Sequence, residues 1–138
     1  FCQVGPACRQ AGIRGRRLIS VVTLGDFQKL DLRVGTVTEA MVPEWSHWVI
    51  KLMVDFGDEV GKRTIFAGLM KHYNPEDLMG KQFPFVVNMA PKKIGPEGGV
   101  SEGMMLAAGV PVQGGKEGEE EPVLLKVSRK VPNGTKVR

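Results

Sequence analysis

Along most of the chain, apolar and polar residues alternate with a period of two. In VIKLMVDF (residues 49–56), Ile50, Leu52, Val54 and Phe56 share one face while Lys51 and Asp55 take the other. That is the pattern of a strand with one buried side. QFPFVVNM places Phe83, Phe85, Val87 and Met89 on one face and Asn88 opposite. Pro84 has no N–H to give to a ladder, so it predicts an edge position or a bulge. LDLRVGTVTEAM begins with Leu30, Leu32 and Val34 in one phase and continues with Val37 and Met41 in the other. Gly35 stands at the change, which predicts a sharply bent, bulged strand. KRTIFAG, GMMLAAG and EPVLLKV add three strands, with MMLAA entering the core and Val123, Leu125 and Val127 alternating.

Helical signals are short. Thr23-Leu24-Gly25-Asp26 has the form of a capping box opening a helical turn over FQKL. In NPEDLMGK, Asn74 suits the N-cap, Pro75 the first helical position and Gly80 the end. GKEGEEE reads as a solvated acidic loop, and VPNGTKV carries the Asn-Gly signature of a tight turn. Five or more strands with one small helix between the third and fourth predict an all-β class with short helices. The architecture expected is an OB-fold five-stranded β-barrel plus a C-terminal β extension, whose strand 2–3 face and adjoining loops bind oligonucleotides.

Charge sharpens the domain reading. The chain of 138 residues carries 19 Lys+Arg against 15 Asp+Glu. Residues 1–22 hold Arg9, Arg14, Arg16 and Arg17 and no acid, so residues 23–138 balance at 15 against 15. We read 1–22 as a basic flexible leader and 23–138 as one domain. The leader either adds counterion-release affinity for a polyanion or has no binding role. The chain does not begin with Met, while its ending at VPNGTKVR reads as that of a complete, free-standing protein. No apolar run approaches the roughly 18 residues of a membrane span, and no secretory signal opens the chain, so the expected address is cytoplasmic. Cys2 and Cys8 lack zinc spacing and read as free thiols; His47 and His72 stand apart from other ligand types. With no catalytic set and no phosphate-loop motif, neither an enzyme nor a cofactor is expected.

KLDLRVGTVTEA, IKLMVDFGDEVGKRTIFAGLMKHYNPEDLMGK, VVNMAPKKIG and SEGMMLAA together resemble the tRNA-binding domain that follows methionyl-tRNA synthetase and also occurs as a free-standing protein. The resemblance covers about residues 24–137. It implies recognition of tRNA by shape, at the outer corner of the L, and homodimers among the free-standing members. The ending PVLLKVSRKVPNGTKV is similar to members of the CsaA type, described as export-related chaperones, which implies unfolded or exported polypeptides as the alternative partner. Two departures from the pattern are Trp45 and Trp48 in PEWSHWV and Ala67-Gly68 in place of Ser-Gly.

The candidate site is NMAPKKIGPEGGVSEG, residues 88–103. Lys92 and Lys93, restrained by Pro91, are candidates for phosphate contact, against a reading as a solvated turn. Gly95, Gly98 and Gly99 clear side chains from a loop that a nucleic-acid backbone can then approach. Ser101 is a donor for a phosphate or a 2′-hydroxyl. Lys51 projects from strand 2 opposite the core face, where an OB-fold reads its ligand, against a reading as a solvated lysine on a half-exposed strand. Arg33 either joins the site or pairs with Asp31, and Asn88 either binds RNA or caps a strand end. Arg63 is a weaker candidate. Trp45 and Trp48 read as core or interface packing, with base stacking as the alternative; with Phe66 they also compose the apolar groove a chaperone needs. Arg129 and Lys130 extend a basic rim or solubilise the last hairpin. PVLLKV, with the N-terminal turn, is the candidate dimer element, against ordinary barrel packing.

Overall fold

The computed structural model describes residues 20–96 and 98–138, which divide into two units between Leu30 and Asp31, each taken here by itself. The expected leader lies outside the described residues except for 20–22, and both cysteines lie outside them. In the first unit, α1 (Leu24–Gln28) opens as its capping box dictates. Asp26 N–H donates to Thr23 Oγ1 at 3.1 Å, and Thr23 N–H to Asp26 Oδ2 at 3.0 Å. The bond from the Thr23 N–H holds the Asp26 carboxyl below its usual range.

The second unit, Asp31–Arg138, holds β1 (Leu32–Met41), β2 (Ile50–Asp55), α2 (Gly57–Val60), β3 (Lys62–Ala67), α3 (Pro75–Leu78) and β4 (Gln82–Val86). There follow β5 (Lys92–Ile94), β6 (Gly99–Ser101), β7 (Met104–Met105), β8 (Ala107–Pro111) and β9 (Glu120–Leu124). Five strands form one antiparallel sheet in the order β3-β2-β1-β4-β7. The sheet curls until β3 nearly meets β6 and β7: Glu102 N–H donates to Thr64 O at 2.8 Å and Phe66 N–H to Ser101 Oγ at 3.1 Å. The result is a nearly closed five-strand barrel with short helices, as expected of an OB-fold. Its core is the alternating inner face of the strands, with Ile50, Leu52, Val54, Phe56, Ile65, Phe83 and Phe85 fully buried. Phe56 meets Phe85 edge-on, with centroids 5.4 Å apart.

Helix α3 forms where NPEDLMGK placed it, with Asn74 N–H bonded to Asp77 Oδ2 and Gly80 at φ +76° beyond its end. Helix α2 was not foreseen; GDEV is four residues between glycines, too short for periodicity to register.

Four sequence expectations are corrected. The irregularity in β1 falls between Val37 and Glu39, not at Gly35. Gly35 is there for close packing, since a Cβ would meet Val54 Cγ1 at 2.5 Å and Phe56 Cε1 at 2.7 Å. Pro84 sits in register opposite Val34 without a bulge, in a strand flanked by β1 and β7. It is tolerated because Val34 turns its own N–H and C=O away from β4, to Thr135 O and Gly134 N–H. Strand β4 is buried along its whole length rather than on alternate residues, whereas Met89 is exposed. Finally, MMLAA does not enter the core along its length. Leu124 packs toward the core while Val123 and Leu125 are exposed, and beyond Met105 and Leu106 the MMLAA stretch lies at the surface. The β8–β9 ribbon touches the barrel with one face, tied by Tyr73, whose hydroxyl donates to Pro122 O at 3.1 Å and accepts Leu124 N–H at 3.3 Å.

Gly35→Ala should cost about 1–3 kcal/mol, the range for overpacking a filled core. Urea unfolding measures it, and an unchanged midpoint would mean the Val54–Phe56 side of β1 has room to spare.

Candidate nucleic-acid interface

The PKKIGPEGGVS stretch forms a hairpin in which β5 pairs with β6, Lys92 opposite Ser101 and Ile94 opposite Gly99. The hairpin rests on aromatic rings. Gly95, at φ +75°, lies against the Trp45 indole, where a Cβ would collide with the ring. Gly99 lies over Phe66, whose Cζ would be 2.8 Å from an added Cβ. Trp45 tilts against Phe66 with centroids 6.2 Å apart and takes Trp48 edge-on at 6.1 Å. Two of the glycines expected to admit an RNA backbone therefore admit aromatic rings of the protein itself.

Ser46 fixes the turn that carries the tryptophans. Its buried Oγ accepts N–H bonds from Trp48 at 3.2 Å and Val49 at 2.9 Å. Trp45 is half-buried and Trp48 is 52% exposed, so the first serves packing and the second presents an indole to solvent.

The candidate cations divide cleanly. Lys92 and Lys93 are exposed and form no ion pair with any described residue. Neighbours in a strand leave on opposite faces, so their ammonium groups straddle the hairpin. Lys51 is half-buried on the outer face of β2, in register with Met41 on one side and Phe66 on the other. Directly opposed residues bring their Cβ atoms within about 5 Å, so Lys51 stands at the foot of the aromatic seat. Lys51 is joined to the hairpin that carries Lys92 and Lys93 through Phe66, its register partner, on which Gly99 rests.

The other candidates have partners within the chain. The Arg33 side chain is only 10% exposed. It forms a fork on Glu59, with Nη1–Oε2 at 3.0 Å and Nη2–Oε1 at 3.2 Å, while Nε donates to Asp31 Oδ1 at 2.9 Å. Those bonds raise the Arg33 pKa further and hold the Glu59 carboxyl below its usual range. Asn88 Oδ1 accepts Asp31 N–H at 2.9 Å, tying the end of β4 to the start of β1. Ser101 is buried; its hydroxyl accepts Phe66 N–H and donates to Gly103 O at 3.0 Å, so it seats the hairpin rather than facing solvent. Arg63 Nη1 donates to Val87 O and Glu102 O, across the seam where the barrel closes.

Sequence reasoning missed Phe66 as the seat of the hairpin, because the ring and Gly99 are far apart in the chain and only the fold joins them. Among the described residues, no group of three or more His, Cys, Asp or Glu is placed to hold a metal. No helix of the described residues is long and apolar enough to cross a membrane.

Residues 32–136 match the family model described as "Putative tRNA binding domain". The chain belongs to the tRNA-binding domain family. It is similar to the chaperone CsaA of Bacillus anthracis, at 41% identity and a TM-score of 0.70, covering 86% of this chain and all of that one. It is also similar to a methionyl-tRNA-synthetase-related protein of Pyrococcus horikoshii, at 35% identity and a TM-score of 0.74, covering 87% of this chain and again all of that one. Methionine–tRNA ligase of Parabacteroides distasonis is 41% identical over 102 residues, which are 74% of this chain and 14% of the ligase. The match thus spans a small part of the ligases' length.

The Arg33–Glu59 fork gives stability a pH dependence. Folding lowers the Glu59 pKa, so its contribution is present above the ordinary glutamate range and fades as pH falls through the lowered value. Glu59→Gln should be less stable near neutrality and should lose stability less steeply on acidification. Urea midpoints from about pH 7 to about pH 3 test this, and a variant profile parallel to the parent's would remove the fork from the stability of the fold.

Proposed function

We propose that this protein is a free-standing, non-catalytic tRNA-binding protein of the cytoplasm, and that it grips the tRNA backbone with Lys92, Lys93 and Lys51. The observation that carries the proposal is the hairpin: two lysines with no ion-pair partner among the described residues, displayed on a loop seated on Trp45 and Phe66, in a domain of the tRNA-binding family. An RNA backbone is a line of fixed charge, and cations held where it runs bind it by releasing counterions. Lysines without directional partners follow phosphates rather than base edges, so recognition is by shape. Arg33, Asn88 and Ser101 support the surface from within. The complete coverage of the CsaA and Pyrococcus chains favours a free-standing protein over a synthetase appendage.

Homodimerisation fits the exposed apolar side chains of the last ribbon and its flanks: Val110 and Val112, with Val123 and Leu125. Two copies of a modest site on one molecule gain affinity through effective concentration. That same surface and the exposed Trp48 support a second reading, a chaperone that holds unfolded polypeptides, as the name of the Bacillus anthracis relative suggests.

The test is a titration of total tRNA at several salt concentrations, with Lys92→Ala/Lys93→Ala beside the parent. Each phosphate contact contributes about 0.7–0.9 to the slope of log K against log salt, so the double variant should lose about 1.4–1.8 of slope. Parent-like binding and slope in the variant would move the tRNA surface elsewhere. If the parent binds an unfolded polypeptide and no tRNA even at low salt, the second reading replaces the first.

A further inference from the structure

The end of the chain is strongly one-signed. Residues 122–138 contain Lys126, Arg129, Lys130, Lys136 and Arg138 and no acid. The fold gathers three of these with a fourth cation from elsewhere: Lys81, Lys126, Arg129 and Lys130 border a cavity of about 390 Å³ whose other lining residues are Thr36, Gly80, Gln82 and Val127. No carboxylate of the described residues lines it, and none of the four cations is ion-paired with a described residue.

The cavity is built by specific bonds. Thr36 and Gln82 are register partners on β1 and β4 and supply its floor. Gly80, in the left-handed region after α3, donates its N–H to Val37 O, and Lys81 O accepts Val37 N–H, which sets Lys81 at the rim. The opposite rim is pinned by Gln82, whose Nε2 donates to Val131 O at 2.6 Å while its Oε1 accepts Val131 N–H at 3.0 Å.

These bonds also decide what the cavity can hold. Gln82 Nε2 further contacts Thr36 Oγ1 and Asn133 Oδ1, and the Thr36 hydroxyl donates to Asn133 Oδ1. The polar groups of the floor are thus occupied within the chain. What remains for a ligand is four exposed cation heads around an open depression. A single small anion held tightly needs converging directional donors; a polyanionic backbone needs only spaced positive charge.

We propose that this cavity is a second docking site for RNA phosphates, so that one tRNA backbone is held at two places on the barrel. The inference rests on the tRNA reading of the hairpin. Along β1, Thr36 at this cavity and Met41 beside Lys51 are five residues apart, about 16 Å at the rise of a strand, so the two cationic regions address different phosphates.

The experiment compares the full chain, Lys126→Ala/Arg129→Ala/Lys130→Ala and Lys92→Ala/Lys93→Ala by tRNA titration across salt, with urea unfolding as a check on folding. All three cations of the triple variant are exposed, so its unfolding midpoint should match the parent's. Its slope of log K against log salt should fall by about 2–3, and its low-salt affinity at least tenfold. Parent-like slope and affinity in the triple variant would overturn the second site and leave the hairpin reading standing. A parent that binds no tRNA would overturn the function itself, and the second site with it. Inorganic tripolyphosphate is the remaining arm: tight one-to-one binding lost in the triple variant, with the tRNA slope unchanged, would make this a small-polyphosphate site and overturn the RNA assignment.

Discussion

Everything in the barrel depends on the ten residues of β1 serving three partners at once. One edge of its first half bonds β4, and its second half bonds β2. The edge that β2 leaves open is taken by the C-terminal segment, through Val34, Gly134, Thr135 and Val137. A straight strand cannot divide itself this way. The irregularity between Val37 and Glu39 supplies the bend, and the missing side chain at Gly35 lets Val54 and Phe56 close beneath it. The cavity floor at Thr36 and the aromatic seat beyond Met41 are positions on this one strand, so both cationic regions take their placement from the same constraint.

Legibility in the sequence followed how many sides of an element are covered. Strand β2 is buried on one side, and its alternation gave the correct inner face. Strand β4 is buried throughout, with the C-terminal segment bonded to Gln82 on what the alternation left as an outer face, and a pattern of period two cannot announce a strand with no outside. The β8–β9 ribbon differs in the opposite direction. Val123 and Leu125 are apolar and exposed on either side of Leu124, so alternation alone does not say which face is covered. Local chemistry was more dependable. The boxes at Thr23 and Asn74 close over three residues and need no tertiary contact to be recognised.

The candidate site was legible only as far as chemistry is local. A pair of lysines after a proline reads as exposed charge from the sequence and is exposed in the fold. Arg33, Asn88 and Ser101 are polar as well, yet apart from Asp31 beside Arg33 and Gly103 beside Ser101 the groups they bond, on Glu59, Asp31 and Phe66, are between 26 and 57 residues away in the chain. Whether a polar side chain is free to bind a ligand is a property of the closed barrel. The glycines make the same point: their freedom of φ was visible, but the indole and phenyl rings that fill the cleared space were not.

Charge distribution, rather than net charge, gives the domain its electrostatic character. Residues 23–138 are balanced, yet Glu117, Glu119, Glu120 and Glu121 crowd the tip and start of the β8–β9 ribbon, while the seventeen residues from Pro122 onward carry five cations and no acid. Exposed like charges repel one another and are kept apart from opposite charges here at a cost in self-energy that ion pairing would remove. The Arg33–Glu59 fork, buried on its arginine side, shows what the fold does with a cation it uses for stability. The cations at the hairpin and around the Gln82 cavity have no such partners among the described residues. A surface organised in this way is better suited to meeting an external polyanion in two places than to stabilising the chain that carries it.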